Sequence, residues 1–515
     1  MPLIRAIATV GGWTMVSRVL GFVRDMFIAA FLGAGQVSDA FFVALQLPNI
    51  FRRLFAEGAF NAAFVPLFAG ELTEHGRAAA RAFGERVFGF MLLILIVLSV
   101  LVEVFMPQVM TLVAGGFVDE PEKFQLAVHF ARLTFPYLLF VSLAAMLGGI
   151  LNTLEKFVAA AAAPILLNTI LIGALTGVAL GWLPDPGLAL SWGVLIAGIG
   201  QFAWLGIACS RTGLMPVVPR LVFGPRIKRL FVLMGPGILG AGVYQINVLV
   251  GMRLASELPE GSVSFLYFAD RVNQLPLGVI GAAVSVALLP LLSRQIRAGD
   301  MAAARDSQNR AIEFSMLLTL PAAAALLVIA DPIVTVLFQR GAFNGGDAGA
   351  TAAALTAFAL GLPAYVLIKA LAPGFFARED TASPVKVAVF ALVVNVGLAL
   401  ALMPTLAHVG IALATAISAW LNAGVLAILL YRRGLLDPDR KLISRVGRAV
   451  IAAALMAICL WFTARMLAAP LAKSDLAGIV ALAALVLIGL AVFVGIAQLL
   501  RAAPFNEISS MLRRR

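Results

Sequence analysis

Residues 38–67 read SDAFFVALQLPNIFRRLFAEGAFNAAFVPL, and the pattern in this stretch decides the fold. It is long enough to cross a hydrocarbon core of about 30 Å at a helical rise of about 1.5 Å per residue, yet it holds Asp39, Arg52, Arg53 and Glu57. An ionisable group inside a span costs about 2.5–3.5 kcal/mol on insertion scales, so it persists only where it faces protein or a water-filled cavity. The same stretch returns without gaps at an offset of 224. Ser38, Phe41, Asn49, Ala59, Ala63, Pro66 and Leu67 align with Ser262, Phe265, Asn273, Ala283, Ala287, Pro290 and Leu291, and the run from Ala78 to Arg81 aligns with Ala302 to Arg305. A membrane protein built from two copies of one helical unit is the direct reading.

The rest of the chain agrees. Of its 515 residues, 62% are apolar and 12% charged, against roughly half and a quarter in soluble domains. Apolar stretches long enough to span recur throughout, at about 7–32, 37–68, 87–113, 126–152, 157–182, 186–210, 229–256, 262–293, 311–337, 348–376, 384–405, 408–431, 445–470 and 475–501. The expected fold class is therefore an all-α polytopic membrane protein of about fourteen transmembrane helices. The matched spans are six helices apart, an even number, so the two units share one orientation and relate by an axis along the membrane normal. This predicts an N-terminal lobe over 1–220, a C-terminal lobe over 221–435, and an appended pair of helices with a basic tail over 436–515. Lobes related in this way commonly enclose a cavity that opens alternately to each side, so transport is the default expectation.

The net charge of +12 raises the question of nucleic acid, and the placement of the basic residues answers it. Most of the 38 Lys and Arg fall in the N-terminus, the even-numbered loops and the C-terminal tail, including Arg226, Lys228 and Arg229, the pair Arg432 and Arg433, and Arg513 to Arg515. That bias puts both termini in the cytoplasm and explains the charge as topology, with no nucleic-acid partner. The first apolar segment carries Arg18, Arg24 and Asp25 without a small-residue cleavage pattern, so it is read as the first span rather than a signal peptide.

Charge inside the spans concentrates in the leading helices of each unit. Spans 5, 6, 11 and 12 hold no Lys, Arg, Asp or Glu in their interiors, whereas span 8 holds Asp270 and Arg271, and spans 4 and 10 add Arg132 and Lys369. At 100° per residue Asp39, Gln46, Arg53 and Glu57 fall within about 40° of one another, with Asn61 on the other flank, which predicts one wet face on span 2. Arg53 and Glu57 are four apart and can neutralise each other. Pro48 removes a backbone hydrogen bond and is expected to kink the helix, so geometry does not decide whether Arg52 or Arg53 faces the cavity. Arg18 and Asp25, seven apart, share a face and are expected to pair, leaving Arg24 pointing about 120° away with no partner on its own helix.

Arginine stays charged, and its planar fork matches phosphate oxygens two at a time. Arg18, Arg24, Arg52, Arg53 and Arg271 stand against Asp25, Asp39, Glu57 and Asp270, a surplus that favours an anionic, phosphorylated cargo. Enzymatic chemistry has little support. No phosphate-binding glycine loop or HExxH is present, His75, His129 and His408 are far apart, and Cys209 and Cys459 lack ligand spacing, so no metal site, cofactor or catalytic set can be assembled.

Ser17 to Asp25, Ser38 to Phe42, Pro48 to Leu67, Ala269 to Gly278, Ala287 to Ser293 and Ala377 to Val385 resemble the motifs of the lipid II flippases, the MurJ (MviN) family, over essentially the whole chain. The resemblance implies two lobes of six helices and a final pair whose groove suits a polyprenyl tail. It implies the substrate too: undecaprenyl-diphosphate carrying a disaccharide pentapeptide, moved across the inner membrane for peptidoglycan synthesis, with membrane lipid and the cell-wall synthesis machinery as partners. The family's cavity arginines fall on Arg18, Arg24, Arg52 and Arg271, with Asp25, Asp39, Asn49 and Glu57 as motif neighbours. A sodium site described for some members would fall on Asn247, Asn395, Ala399, Ile411 and Thr415, without carboxylates at Asn247 and Ala399, so no metal is expected. A drug or O-antigen exporter of the same superfamily and an intramembrane glycosyltransferase are the rival readings.

Overall fold

The structure, a computed structural model, describes residues 3–53, 59–218 and 220–502; all regular structure there is helical. The helices are α1 (Leu3–Leu32), α2 (Gln36–Arg52), α3 (Ala59–Val104), α4 (Met106–Val113), α5 (Pro121–Thr134), α6 (Tyr137–Thr153), α7 (Phe157–Ala179), α8 (Pro186–Ser210), α9 (Pro225–Ser256), α10 (Ser262–Arg297), α11 (Met301–Phe338), α12 (Gly345–Phe376), α13 (Ala382–Arg432), α14 (Arg440–Met466), α15 (Ala468–Leu471) and α16 (Leu476–Leu499), with a 3-10 turn at Gly115–Asp119.

Starts are written in the sequence. Asp185, Asp300, Asp439 and Asp475 each accept a hydrogen bond from the backbone N–H three residues on, at 2.7–2.9 Å, satisfying a donor that a helix N-terminus would otherwise leave exposed. Pro186 follows Asp185 at the first helical position, where its fixed φ fits and its missing N–H costs nothing.

Breaks are equally local. Gly76, at φ +79°, interrupts α3 and separates spans 2 and 3. Ala407 interrupts α13 in the same way and separates spans 11 and 12. Pro136 ends α5 and begins α6 within the fourth span, because its ring cannot continue the ladder. With α4 continuing α3 and α15 continuing α14, the helices fall on the fourteen stretches expected from the sequence. Among the described residues nine helical stretches are long and apolar enough to cross a membrane on their own; α1, α2, α9 and α10, which hold most of the charged motif residues, are not among them.

The chain divides into two compact units, 1–264 and 265–515. In the first, α1 packs on α7, α8 on α5, α6 and α7, α2 on α5 and α6, and α3 on α6 and α9. Phe60, Phe64 and Phe68 stack along α3, with Phe83 against Phe64, and all four are buried. In the second, α11 packs on α12, α14 and α16, and α12 on α13. Gly361 lets α12 and α13 approach until an added Cβ would lie 2.8 Å from the Ala416 Cα. The sequence repeat divides the chain at 220/221; compactness divides it after α9, which lies against α3.

One backbone detail recurs at the repeat offset. Glu155, following α6, and Glu379, following α12, are 224 residues apart and both adopt left-handed φ, +58° and +63°. Beside the second, Arg433 donates to Asp380 Oδ2 at 2.5 Å and to Ser383 Oγ at 2.9 Å.

Two outcomes follow. Ala407 holds φ +46°, ψ −132°, a region that disfavours any residue with a Cβ by roughly 1–2 kcal/mol. Ala407→Gly should raise the thermal midpoint of the detergent-solubilised protein; an unchanged or lower midpoint removes the strain. The Asp380 carboxyl, in the loop before α13, is held down to about 2 by hydrogen bonds from Ser383 and Arg433. Its contribution to stability is therefore complete above its ordinary value near 4 and is lost as pH falls from there towards 2. Asp380→Asn should be less stable than the parent at pH 7 and equal to it near pH 2.

Candidate functional site: buried ion pairs on the leading helices

Arg24 and Asp25 lie where α1 packs against α7, and both are buried, at 6% and 2% exposure. Arg24 Nε and Nη2 donate to Asp25 Oδ1 at 3.0 and 2.6 Å, and Nη1 donates to Asn168 Oδ1 at 3.1 Å. Asn168, buried on α7, donates in turn to the Ser17 carbonyl at 2.9 Å, so one amide joins the α1 backbone to the guanidinium. This corrects the sequence expectation of an Arg18–Asp25 pair with Arg24 unattended. Helical spacing ignored the packing of α7, which buries the Arg24–Asp25 end of α1 and leaves Arg18 exposed.

Asp39 also differs from expectation. The predicted wet face would leave it in water, but α2 packs on α5, α6 and α8 and Asp39 is 1% exposed. Its Oδ1 accepts from the Ser264 hydroxyl at 2.6 Å and the Ser264 N–H at 2.9 Å; its Oδ2 accepts from Gly261 N–H at 2.8 Å and lies 3.2 Å from Lys123 Nζ on α5. Ser38 Oγ hydrogen-bonds Ser264 Oγ, and Glu260 Oε1 accepts from the Gln36 N–H at 2.8 Å. Gln36 and Glu260 are themselves 224 apart, so repeat-equivalent positions meet here. Lys123 is 1% exposed, stands 4.4 Å from the centre of the Phe117 ring and has Glu120 3.7 Å away.

Further along α2, Asn49 Nδ2 donates to the Leu45 carbonyl at 2.8 Å and its Oδ1 accepts from Arg52 Nε at 3.2 Å. Arg52, Arg53 and Gln46 are half-buried. Glu57, and with it the expected Arg53–Glu57 pair, lies outside the described residues.

In the second unit Arg271 and Asp270 are half-buried on α10. Arg271 donates to the Tyr267 hydroxyl at 2.9 Å and lies 4.8 Å from the centre of that ring, while Asp270 accepts from Gln274. Lys369, on α12, lies against Gly281 of α10, and Arg132 is exposed.

Buried charge is costly without partners, and Arg24 and Asp39 are each held by several hydrogen bonds to neighbours. The arrangement suits the holding of anions by fixed guanidinium groups. Among the described residues no group of three or more His, Cys, Asp or Glu is placed to hold a metal. At the aligned sodium positions Ala399 presents a buried methyl and the Thr415 hydroxyl donates to the Ile411 carbonyl at 2.9 Å. Neither of these two supplies a carboxylate, the ligand that most favours a hard cation.

Sequence reasoning missed Lys123 and Asn168. Lys123 precedes an apolar run and reads as a loop charge. Asn168 is uncharged and lies in a span set aside for lacking ionisable groups; the available signal was a lone amide among Leu, Ile and Ala.

These helices define an all-α polytopic membrane protein. An inward-facing multidrug resistance MATE transporter superposes with a TM-score of 0.67 at 16% identity, over 83% of this chain and 98% of the other. A structure described as lipid II flippase MurJ in an inward closed conformation superposes with a TM-score of 0.78 at 24% identity, over 95% and 98%. The family model "Lipid II flippase MurJ" matches residues 28–482. The probable lipid II flippase MurJ of Rhizobium meliloti (strain 1021) is 48% identical over 92% of this chain and 89% of its own, and the lipid II flippase MurJ of Burkholderia cenocepacia is 35% identical over 89% and 90%. The chain belongs to the lipid II flippase MurJ family.

The buried pair provides a stability test. Asp39→Ala leaves Lys123 with only Glu120, 3.7 Å away, and takes the acceptor from Gly261 and Ser264, and should cost about 3–5 kcal/mol, read from thermal or denaturant unfolding in detergent. Removing both charges, as Asp39→Ala with Lys123→Met, should recover the part of that loss due to the ammonium, while the Gly261 and Ser264 N–H groups remain without their acceptor. A single variant as stable as the parent would show that the pair does not support the fold.

Proposed function

We propose that this protein is a lipid II flippase, moving undecaprenyl-diphosphate-linked disaccharide pentapeptide from the cytoplasmic to the outer leaflet of the inner membrane by alternating access. The observation that carries the reading is the family match across residues 28–482, which spans the helices bearing Arg52 and Arg271 and only the last five residues of α1. Supporting it is the chemistry of a guanidinium held in place inside a span. Arg24, fixed by Asp25 and Asn168, meets a diphosphate with a preset orientation and loses little side-chain freedom on binding.

In this reading Arg18, Arg24, Arg52 and Arg271 take the diphosphate and headgroup, Arg53 neighbours them on α2, and the polyprenyl chain stays in lipid. Asp25, Asn49 and Asp270 hold nearby side chains in position. Asp39 acts on the fold of the leading helices rather than on cargo, since its oxygens already accept from Gly261, Ser264 and Lys123. Both termini face the cytoplasm in this reading, which the bias of Lys and Arg towards the N-terminus, the even-numbered loops and the C-terminal tail supports. The product leaflet is where cell-wall synthesis enzymes consume the substrate, which makes that machinery the natural partner.

Arg24→Ala and Arg271→Ala should each abolish growth support in a cell depleted of its own flippase. In proteoliposomes each should weaken lipid II binding roughly ten- to a hundredfold, the scale of one lost charge-assisted contact at about 1.5–3 kcal/mol. Normal growth and undiminished lipid II translocation with both variants would overturn the assignment.

A further inference from the structure

The outer face of α14 carries a second collection of cations, separate from the arginines of the leading helices. Arg440, Lys441, Ser444, Arg445 and Arg448 line a hollow of about 460 Å³. Their spacing places all five within about 140° on one side of the helix. Arg440, Lys441, Ser444 and Arg448 are exposed.

The acidic groups nearby are already engaged. Glu313 of α11 accepts from Arg445 at 2.7 Å and also pairs with Arg310; Arg310 pairs in addition with Asp439, whose other oxygen caps the N–H of Leu442 at 2.7 Å. Among the described residues no carboxylate pairs with Arg440, Lys441 or Arg448, and Arg448 Nη1 has only a 3.4 Å approach to the Arg501 carbonyl. The rim of the hollow therefore keeps a surplus of positive charge.

Beyond this basic end, α14 is apolar and outward-facing. Val450, Ile451, Leu455, Ile458 and Phe462 are exposed, while Ala449, Ala453, Met456 and Leu460 are buried on the side turned to α11 and α16. The cationic hollow thus stands at the end of a stripe of hydrocarbon. That combination matches a molecule with a phosphate at one end and acyl chains at the other.

We propose that this hollow binds the phosphodiester headgroup of an anionic phospholipid of the cytoplasmic leaflet, with its acyl chains laid along the exposed face of α14. Lipid II also carries phosphate, but bilayer phospholipid is the occupant argued here. The hollow lies on the outer surface, flanked directly by lipid-facing side chains, and holds cations that no acid in the described structure neutralises. Arg445 stays on Glu313 and sets the wall, whereas Arg440, Lys441 and Arg448 meet the phosphate.

The test uses the full-length protein in detergent with a short-chain phosphatidylglycerol, phosphatidylcholine of equal chain length, inorganic phosphate and lipid II as separate probes. Phosphatidylglycerol should bind and phosphatidylcholine should not. The triple variant Arg440→Gln, Lys441→Gln and Arg448→Gln should weaken phosphatidylglycerol roughly a hundredfold, since each Lys or Arg near an anionic surface contributes about fivefold. A control at another exposed basic rim, Lys156→Gln with Arg211→Gln, should bind as the parent does. The thermal midpoint checks that each variant is folded, and lipid II binding by the triple variant should stay within about twofold of the parent. Unchanged phosphatidylglycerol binding in the triple variant, equal loss in the control, or displacement by millimolar inorganic phosphate would each overturn the proposal. A parallel loss of lipid II binding would assign the hollow to the transported lipid instead. Failure of flippase activity with intact phosphatidylglycerol binding would count against the proposed function and leave this site standing.

Discussion

A charge withdrawn from water must find its compensation inside the fold, and in this protein that requirement shapes the leading helices. Asp39 is the clearest instance. Two backbone N–H groups, one hydroxyl and one ammonium converge on a single carboxylate that is almost wholly buried. Each donor comes from a different part of the chain: Lys123 from α5, Gly261 from the turn before α10, Ser264 from its first turn. The carboxylate consequently fixes where three segments end relative to α2. Buried ion pairs add little net stability over apolar packing, but they penalise every arrangement that separates the partners.

The same requirement explains what could and could not be read from the residues alone. Helix positions were legible because span length and apolar content are properties of contiguous sequence, and Asp and Pro mark the starts. The motif arginines were legible as residues out of place in hydrocarbon. Their partners were not. Asp25 was expected to serve Arg18 because seven residues bring two positions onto one helical face, but α7 turns Arg24 and Asp25 together into a packed seam. Asn168 went unnoticed because it has no charge to betray it, and Lys123 because it lies near the end of a segment where lysine is ordinary. Pairing across 144 residues, as between Arg24 and Asn168, depends on tertiary packing that no local periodicity encodes.

The interruptions in the helices show a related division between local and distant causes. Gly76 and Pro136 break helices where their own chemistry predicts it. Ala407 does so against its chemistry, adopting a conformation that glycine would occupy more easily. The turn between spans 11 and 12 is imposed by the helices on either side, not chosen by the residue that makes it. Glu155 and Glu379 carry the repeat further than residue identity does: the flanking residues have diverged, from Lys156 to Asp380 and from Leu154 to Arg378, while the left-handed turn has stayed in both places.

Arg24 is held by two groups of different character, and the difference separates two properties that usually vary together. Asp25 supplies a formal negative charge and so sets how much of the guanidinium's field reaches its surroundings. Asn168 supplies only a dipole, anchored to the Ser17 carbonyl, and so sets direction without subtracting charge. Strength and aim of the cation are therefore adjustable at separate positions, one on α1 and one on α7. A homologue facing a bulkier or more weakly charged headgroup can shift one of these while leaving the other untouched.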